Sequence, residues 1–244
     1  AKAHRVTDVR QWIEPGRLSL IGEHLDYNGG PVLPMAIDRT LTIKVRRRDD
    51  DVVNVWTDRV GSAKATFPVS VQPGDVDNWA AYAAGTVWSL VEAGHSVGGV
   101  DIVVESALPS GAGLSSSAAL SCGIAAAVDE LFSLGIGLTD LALVAQRAES
   151  DYVGAPVGLM DQLAVLYGEV GNAIMIDTAA TPPTTRLVPL GWDSAGVILL
   201  VMATGAHHSL ADGEYAARRD ECERAAAELG LEHLADAGLD AMVN

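Results

Sequence analysis

The chain is poor in lysine, and this shortage excludes a common kind of nucleotide site. Its lysines, Lys2, Lys44 and Lys64, all lie within the first 64 of the 244 residues. None of them follows a glycine-rich loop, so the lysine of a Walker phosphate loop is missing. The 32 acidic and 16 basic residues give a formal net charge of −16. Because such a surface repels nucleic-acid phosphates and anionic lipids, we expect neither nucleic-acid nor membrane partners.

Cysteines and long apolar runs are also scarce. Cys122 and Cys222 stand alone in helical patterns, which predicts buried thiols in a reducing compartment. No apolar run approaches the ~18 residues typical of a membrane-spanning helix. The opening AKAHRVTDVRQW lacks the apolar core of a signal peptide. The sequence therefore predicts a cytoplasmic protein, and its 49% hydrophobic residues predict a buried core.

Residue periodicity predicts a mixture of strands and helices. Alternation predicts strands over 17–21, 41–45, 52–56 and 100–106, and an apolar run predicts a buried strand over 196–204. Helical spacing predicts helices over 78–93, 115–131, 138–152 and 209–229. Glu149 lies at the border of the apolar stripe of the third helix. The Pro- and Gly-containing segment 178–195 is the best candidate for a domain junction.

The stretch LPSGAGLSSSAAL, residues 108–120, predicts an anion site. Gly111 and Gly113 precede a helix whose first turn holds Ser115, Ser116 and Ser117. Glycines let the backbone approach a ligand closely, and the unpaired N–H groups and dipole of a helix N-terminus attract negative charge. A glycine-rich loop with an ordinary serine N-cap fits these residues equally well.

A phosphate site of this kind usually needs a divalent ion, which takes hard oxygen ligands. Ser117 and Glu149 are candidate ligands, although Glu149 also fits a solvated helix carboxylate. Asp161, in VGLMDQLAV, is a carboxylate among apolar residues, so it is either a helix cap or a working group.

Three motifs then resemble one family. GRLSLIGEHLDYNGG at 16–30, LPSGAGLSSSAAL and GLMDQ occur in this order, and together they strongly resemble galactokinases of the GHMP kinase superfamily. HHSLADGEYAARRDECE at 207–223 resembles another segment of that family. The resemblance runs from about residue 12 to about residue 228. It implies an α+β GHMP kinase fold, with an N-terminal mixed sheet and helices like ribosomal protein S5 domain 2.

The resemblance also implies a domain division. Residues 1–185 would form the N-terminal domain with the sugar and ATP sites. Residues 190–244 would begin an incomplete C-terminal α/β sandwich domain. Galactokinases continue much further, to a third, glycine-rich motif, so we expect a fragment or partial gene product with little or no turnover alone. Full-length members are expected to be monomers, whereas an unpaired strand would favour association of the shortened chain.

Roles in sugar binding and catalysis follow from the same resemblance. It implies that Asp161 is the catalytic aspartate, with Arg17 beside it. The implied sugar-binding residues are Glu23, His24, Asp26, Gly158 and Tyr215. Leu25 stands where most galactokinases carry threonine, and we expect its side chain to point away from the sugar.

The resemblance likewise implies galactose and MgATP as partners. Gly111, Gly113 and Ser115 to Ser117 would hold the triphosphate, with Ser117 and Glu149 at Mg²⁺. Trp79 would lie beside the adenine, and it equally fits a core tryptophan. The implied reaction is ATP-dependent phosphorylation of galactose at the anomeric hydroxyl, in carbohydrate metabolism. The alternatives are a kinase for N-acetylgalactosamine or arabinose, and a non-catalytic sensor of sugar and ATP.

Overall fold

The fold is built on one sheet, in a computed structural model that describes residues 9–58, 63–109, 111–202 and 214–238. The strands are β1 (Arg10–Ile21), β2 (Pro31–Arg47), β3 (Val52–Thr57), β4 (Lys64–Pro68), β5 (Val100–Ser106), β6 (Asn172–Asp177) and β7 (Thr184–Pro189). They form a 7-stranded sheet in the order β4-β3-β5-β2-β6-β7, with β1 paired to β2.

Strand β2 is the centre of this sheet. Over its 17 residues it pairs antiparallel with β1, with β5 through Leu41–Arg47, and with β6 near Pro31. β3 and β5 run parallel, whereas the other pairs are antiparallel. The mixed sheet expected from the resemblance is therefore confirmed.

The helices are α1 (Ala80–Glu92), α2 (Ser116–Phe132), α3 (Leu138–Arg147), α4 (Met160–Tyr167), α5 (Trp192–Ala195) and α6 (Glu214–Glu228). A π-helical turn, Ala148–Val153, continues α3, and a 3₁₀ turn, Leu234–Asp236, follows α6. Helices α2 and α4 both pack on β1 and β2. Gly123 of α2 faces Ile43 of β2, where an added Cβ would lie 2.5 Å from Ile43 Cδ1. A larger residue would push helix and sheet apart.

Apolar side chains between α1, α2 and the sheet form the main core, which includes Ile43, Leu90, Ile102 and Ile124, all fully buried. A smaller cluster lies around α4 and β6, with Leu163, Ile174 and Ile176 at 0% exposure. The strand predictions over 17–21, 41–45, 52–56 and 100–106 all fall within observed strands. The first three helix predictions are confirmed to within a few residues.

Several other predictions were wrong. The apolar segment 196–202 is exposed and forms no strand, since no described strand pairs with it and a strand needs a ladder partner. The two remaining residues of that predicted strand, 203–204, lie outside the described residues. Cys122 is buried, but Cys222 is partly exposed, because it lies on a helix with an otherwise largely solvated surface.

The C-terminal part also differs in its boundaries. The helix predicted over 209–229 is described as α6, and 209–213 lie outside the described residues. Strand β7 lies inside the proposed junction 178–195, where no strand was predicted, and it pairs with β6. β4 and β6 were also missed. The two-domain division stays a prediction.

Candidate functional site

Arg17 and Asp161 form an ion pair at the meeting point of β1 and α4. Nη2 of Arg17 contacts Oδ1 of Asp161, and the two side chains are 13% and 26% exposed. The hydroxyl of Ser115 donates to Oδ2 of Asp161 at 2.7 Å. Asp161 lies in the first turn of α4, where the helix dipole favours a negative charge. Both carboxylate oxygens therefore have a donor, which holds the carboxylate in one orientation.

The backbone of β1 fixes the position of the serine-containing loop. The amide of Arg17 donates to the carbonyl of Leu114 at 3.1 Å. Gly16 makes this approach possible, because a Cβ there would lie 2.9 Å from that carbonyl oxygen and overlap with the side chain of Leu108. Arg17 and Ser115 thus reach Asp161 from two segments that are themselves hydrogen-bonded together.

The predicted phosphate loop lies at the N-terminus of α2. Gly111 and Gly113 are exposed and have left-handed φ values of 70° and 69°. α2 begins at Ser116, and no side chain caps it. The first backbone N–H groups of a helix have no partner within the helix, so this end can accept an anion. Through Ser115, the structure brings this loop to the carboxylate of Asp161.

On the predicted sugar side, Asp26 packs against Gly158. An added Cβ at Gly158 would overlap with the carboxylate of Asp26, so only glycine leaves the carboxylate in place. Glu23 and His24 are exposed, and Nδ1 of His24 lies 2.7 Å from the hydroxyl of Tyr27. The structure therefore joins the loop that carries Asp26 to the loop that precedes Asp161.

Two segments hold this sugar-side loop, residues 22–30. The hydroxyl of Thr178 donates to the carbonyl of Gly30 at 2.8 Å. Leu25 packs against the small cluster around α4 and β6. Beyond α6, the amide of Ala235 donates to the carbonyl of Asn28 at 3.2 Å. The loop is therefore attached both to the sheet and to the C-terminal part of the described chain.

Glu149 is the most deeply buried carboxylate near the site. Glu149 lies in the π-helical turn that continues α3, and it is 1% exposed rather than at a solvated border. Nε2 of Gln162 donates to its Oε1 at 2.9 Å. Burial raises the pKa of Glu149 to about 7; hydrogen bonds from Ser117 and Gln162 oppose this rise, and the charge of Asp161 adds to it. Ser117 and Glu149, the two predicted metal ligands, are thus in contact.

The oxygen atoms of Ser117 and Glu149 are hard donors that fit Mg²⁺. Mg²⁺ is usually bound by one or two carboxylates together with substrate phosphates. Within the described ranges there is no group of three or more His, Cys, Asp or Glu side chains that could hold a metal by itself. The pair therefore fits an ion whose other ligands are phosphate oxygens of a nucleotide.

The other predicted site residues lie elsewhere. Trp79 directly precedes α1 and is half-buried against the main core. Tyr215 is the second residue of α6, and its side chain lies outside the described part of the structure. Nη1 of Arg219 in α6 donates to the carbonyl of Pro156 at 3.3 Å. One face of α6 therefore reaches the segment that leads to Gly158.

Sequence reasoning missed two residues near the site. Gln162 is fully buried and supports Glu149, and its Oε1 has no hydrogen-bond partner in the described structure. Its signal was a polar side chain inside the apolar run MDQLAVLY. Glu14 of β1 lies over Gly123, where an added Cβ would be 2.7 Å from Glu14 Cγ. Burial raises the pKa of Glu14 to about 7.

None of the helices in the described ranges is long and apolar enough to cross a membrane.

Comparison with protein families gives two matches. The GHMP kinases N terminal domain matches residues 81–169. The galactokinase galactose-binding signature matches residues 11–47. The first match includes Ser115 to Ser117, Glu149 and Asp161, and the second includes Arg17 and Asp26.

Comparison with individual proteins points the same way. The chain is 44% identical to a galactokinase of Streptomyces coelicolor over 234 residues, and 45% identical to one of Mycobacterium tuberculosis over 232 residues. These alignments cover 94% and 93% of this chain but 60% and 63% of the relatives, so the chain spans less than two thirds of their length.

Among solved structures, Lactococcus lactis galactokinase complexed with galactose matches with a TM-score of 0.83 and 28% identity. The match covers 98% of this chain and 64% of the other. A mevalonate kinase of Methanococcus jannaschii matches with a TM-score of 0.63 and 18% identity, over 78% of this chain and 58% of the other. At that identity the second match concerns the fold alone.

Proposed function

Because the chain belongs to the galactokinase family of the GHMP kinase superfamily, we propose that the protein carrying these residues phosphorylates galactose at its anomeric hydroxyl with ATP. The observation that carries the proposal is the arrangement at Asp161. Its carboxylate is held by Arg17 and Ser115, next to a glycine loop at a helix N-terminus. A fixed carboxylate beside an anion-accepting loop suits phosphoryl transfer to a hydroxyl group.

The sugar would lie beside Asp26 and Gly158. Carboxylates accept hydrogen bonds from hydroxyl groups, so Asp26 and Glu23 can fix hydroxyl positions, and His24 adds a further polar group. The bare backbone of Gly158 leaves room for Asp26 and for a closely bound ring. Tyr215 completes the proposed sugar-binding set. This part of the proposal is supported by the match of residues 11–47 to a galactose-binding signature.

In the proposed reaction the sugar hydroxyl attacks the terminal phosphoryl group in line. A bond forms between the sugar oxygen and phosphorus while the bond to the ADP oxygen breaks. Asp161 accepts the hydroxyl proton. The guanidinium of Arg17 fixes Asp161 and offsets negative charge on the transferring group. The products are galactose 1-phosphate and ADP.

The nucleotide would be held by backbone rather than by lysine. Gly111 and Gly113 leave the loop open to the triphosphate, and Ser115 to Ser117 surround the N-terminus of α2. Ser117 and Glu149 would hold Mg²⁺, which would neutralise charge on the phosphate oxygens. Trp79 is the proposed neighbour of the adenine.

Domain organisation and location are also part of the proposal. Residues 1–185 are proposed as the N-terminal kinase domain and 190–244 as the start of a second domain. The start at 190 is supported by β7, which completes the sheet at Pro189, and the same strand extends the first domain from 185 to 189. A cytoplasmic location is supported by Cys122 and Cys222, which are not joined in a disulfide.

The test is galactose-dependent release of ADP by the whole protein that carries these residues, with its mass verified, since the 244 residues span less than two thirds of the relatives' length. Galactose, glucose, N-acetylgalactosamine and arabinose are compared at matched MgATP. We expect galactose to be favoured over glucose by about 10²-fold or more in kcat/KM, because a site built on hydroxyl contacts leaves polar groups unpaired with the wrong sugar. Galactose and MgATP binding without ADP release would indicate a sensor. A preference for another sugar of the panel would overturn the substrate assignment.

A further inference from the structure

Three residues of the loop before α2 have left-handed backbone conformations, and one of them is not glycine. Gly111, Gly113 and Ser115 have φ values of 70°, 69° and 55°. The two glycines are exposed, whereas Ser115 is 8% exposed. Residues with a Cβ are disfavoured in this conformation, and glycine adopts it readily. A serine at this position therefore indicates that its hydroxyl makes a contact that glycine could not make.

The side chain of Ser115 does not cap helix α2. Ser115 is the N-cap residue of α2, yet its side chain makes no cap hydrogen bond. A serine with the usual extended backbone at this position would direct its oxygen to the amides of the first turn. The left-handed conformation accompanies a different contact, in which the hydroxyl donates to Oδ2 of Asp161 at 2.7 Å.

The contact completes the support of Asp161. Arg17 binds Oδ1 and Ser115 binds Oδ2, so the two donors define the plane of the carboxylate. The backbone bond between Arg17 and Leu114 keeps both donors at a fixed separation. A hydroxyl that is committed to Asp161 is not available to a phosphate oxygen at the same time, because it has one proton to donate.

We propose that Ser115 is a positioning residue for Asp161 and not a ligand of the nucleotide. This rests on the proposed function, and it refines the part of it that grouped Ser115 with Ser116 and Ser117 at the triphosphate. The neighbouring glycines and the N-terminus of α2 bind phosphate, while the buried serine between them orients the carboxylate that receives the proton. The loop thereby links the nucleotide site to the proton acceptor.

The test variant is Ser115→Gly, since glycine accepts the left-handed backbone and only the hydroxyl is lost. We expect kcat to fall about 10-fold or more, as for the loss of a hydrogen bond to a charged group, with KM for ATP changed by less than about twofold. Ser116→Ala serves as the contrast, with the effect expected in KM for ATP. If Ser115→Gly instead raised KM for ATP and left kcat unchanged, the proposal would be overturned.

A double-mutant cycle with Asp161→Asn separates positioning from general damage. If Ser115 acts through Asp161, the double variant should be no slower than Asp161→Asn alone, since the partner is already lost. Additive losses would overturn the proposal. Melting temperatures of all variants identify any loss of folding.

If the whole wild-type protein binds galactose and MgATP without turnover, the proposed function fails while the proposal for Ser115 remains open to test. The proposal for Ser115 is then decided by a crystal structure with galactose and a non-hydrolysable ATP analogue. The Ser115 hydroxyl on Asp161 would support the proposal, and the hydroxyl on a phosphate oxygen would overturn it.

Discussion

The carboxylate of Asp26 lies directly against the Cα of Gly158, with no space for a side chain between them. The contact joins two segments that are far apart in sequence, the turn after β1 and the loop before α4. It defines one wall of the candidate sugar site.

Gly158→Ala should displace Asp26 and weaken galactose binding. We expect KM for galactose to rise about 10-fold or more, with KM for ATP nearly unchanged, because a small displacement of a positioning group is costly. The matched control is Gly137→Ala, where the nearest atom to an added Cβ is 3.6 Å away and φ is −70°. Equal effects of the two substitutions on galactose KM would contradict the assignment of this wall.

Asp161→Asn should remove the proton acceptor while keeping the shape of the side chain. General-base catalysis typically contributes about 10² to 10⁴-fold, so kcat should fall by that factor. Binding of an ATP analogue, measured by calorimetry, should change little. A variant that retained most of its rate would show that Asp161 has a structural role and that another group accepts the proton.

Glu149→Gln should weaken Mg²⁺ binding. The substitution replaces a carboxylate ligand with an amide, and Mg²⁺ prefers charged oxygen donors. We expect a higher Mg²⁺ concentration for half-maximal rate, a lower kcat and unchanged galactose binding. The check is a Mg²⁺ titration at fixed ATP, followed by galactose calorimetry on the same sample. An unaltered titration would exclude Glu149 from the metal site.

Glu14→Gln should stabilise the fold above neutral pH and have little effect in acid. Burial raises the pKa of Glu14 from 4.5 to about 7, so the folded state retains a proton that the unfolded state has lost. Wild-type stability therefore falls as pH rises between these values and then levels off. At about 1.4 kcal/mol per pKa unit, the gain in the variant is at most roughly 3 kcal/mol.

The measurement is urea unfolding of both proteins at about pH 5 and about pH 8. Glu149 titrates in the same range, but it is present in both proteins, so the difference between them isolates Glu14. A gain of equal size at both pH values would indicate better packing rather than relief of a buried charge.

Sequence patterns predicted a strand correctly where the segment pairs within the sheet, and wrongly where no described strand pairs with the segment. Val100–Ser106 was predicted as a strand with its observed ends, because its apolar residues follow two glycines and alternate near its C-terminal end. The apolar run at 196–202 led to a wrong strand prediction, because a segment can be equally apolar with or without a partner strand. Local pattern contains no information about such a partner.

The candidate site divides in the same way. The pairing of Arg17 with Asp161 could be expected from the resemblance, because each residue belongs to one of the motifs that carry it. The burial of Glu149 could not, because it depends on neighbours such as Ser117 and Gln162, which other helices bring to it. The contact of Ser115 with Asp161 occurs together with a left-handed backbone at Ser115, which residue type does not predict.

The central position of β2 has a consequence for the order of folding. Its partners are drawn from residues 10–21, 100–106 and 172–177, so the sheet cannot close until the last of these has left the ribosome. Until then, the hairpin of β1 and β2 has an open edge for most of the synthesis of the chain. Such distant pairing slows folding and exposes intermediates to aggregation. We therefore expect soluble yield to respond strongly to chaperones and to expression temperature.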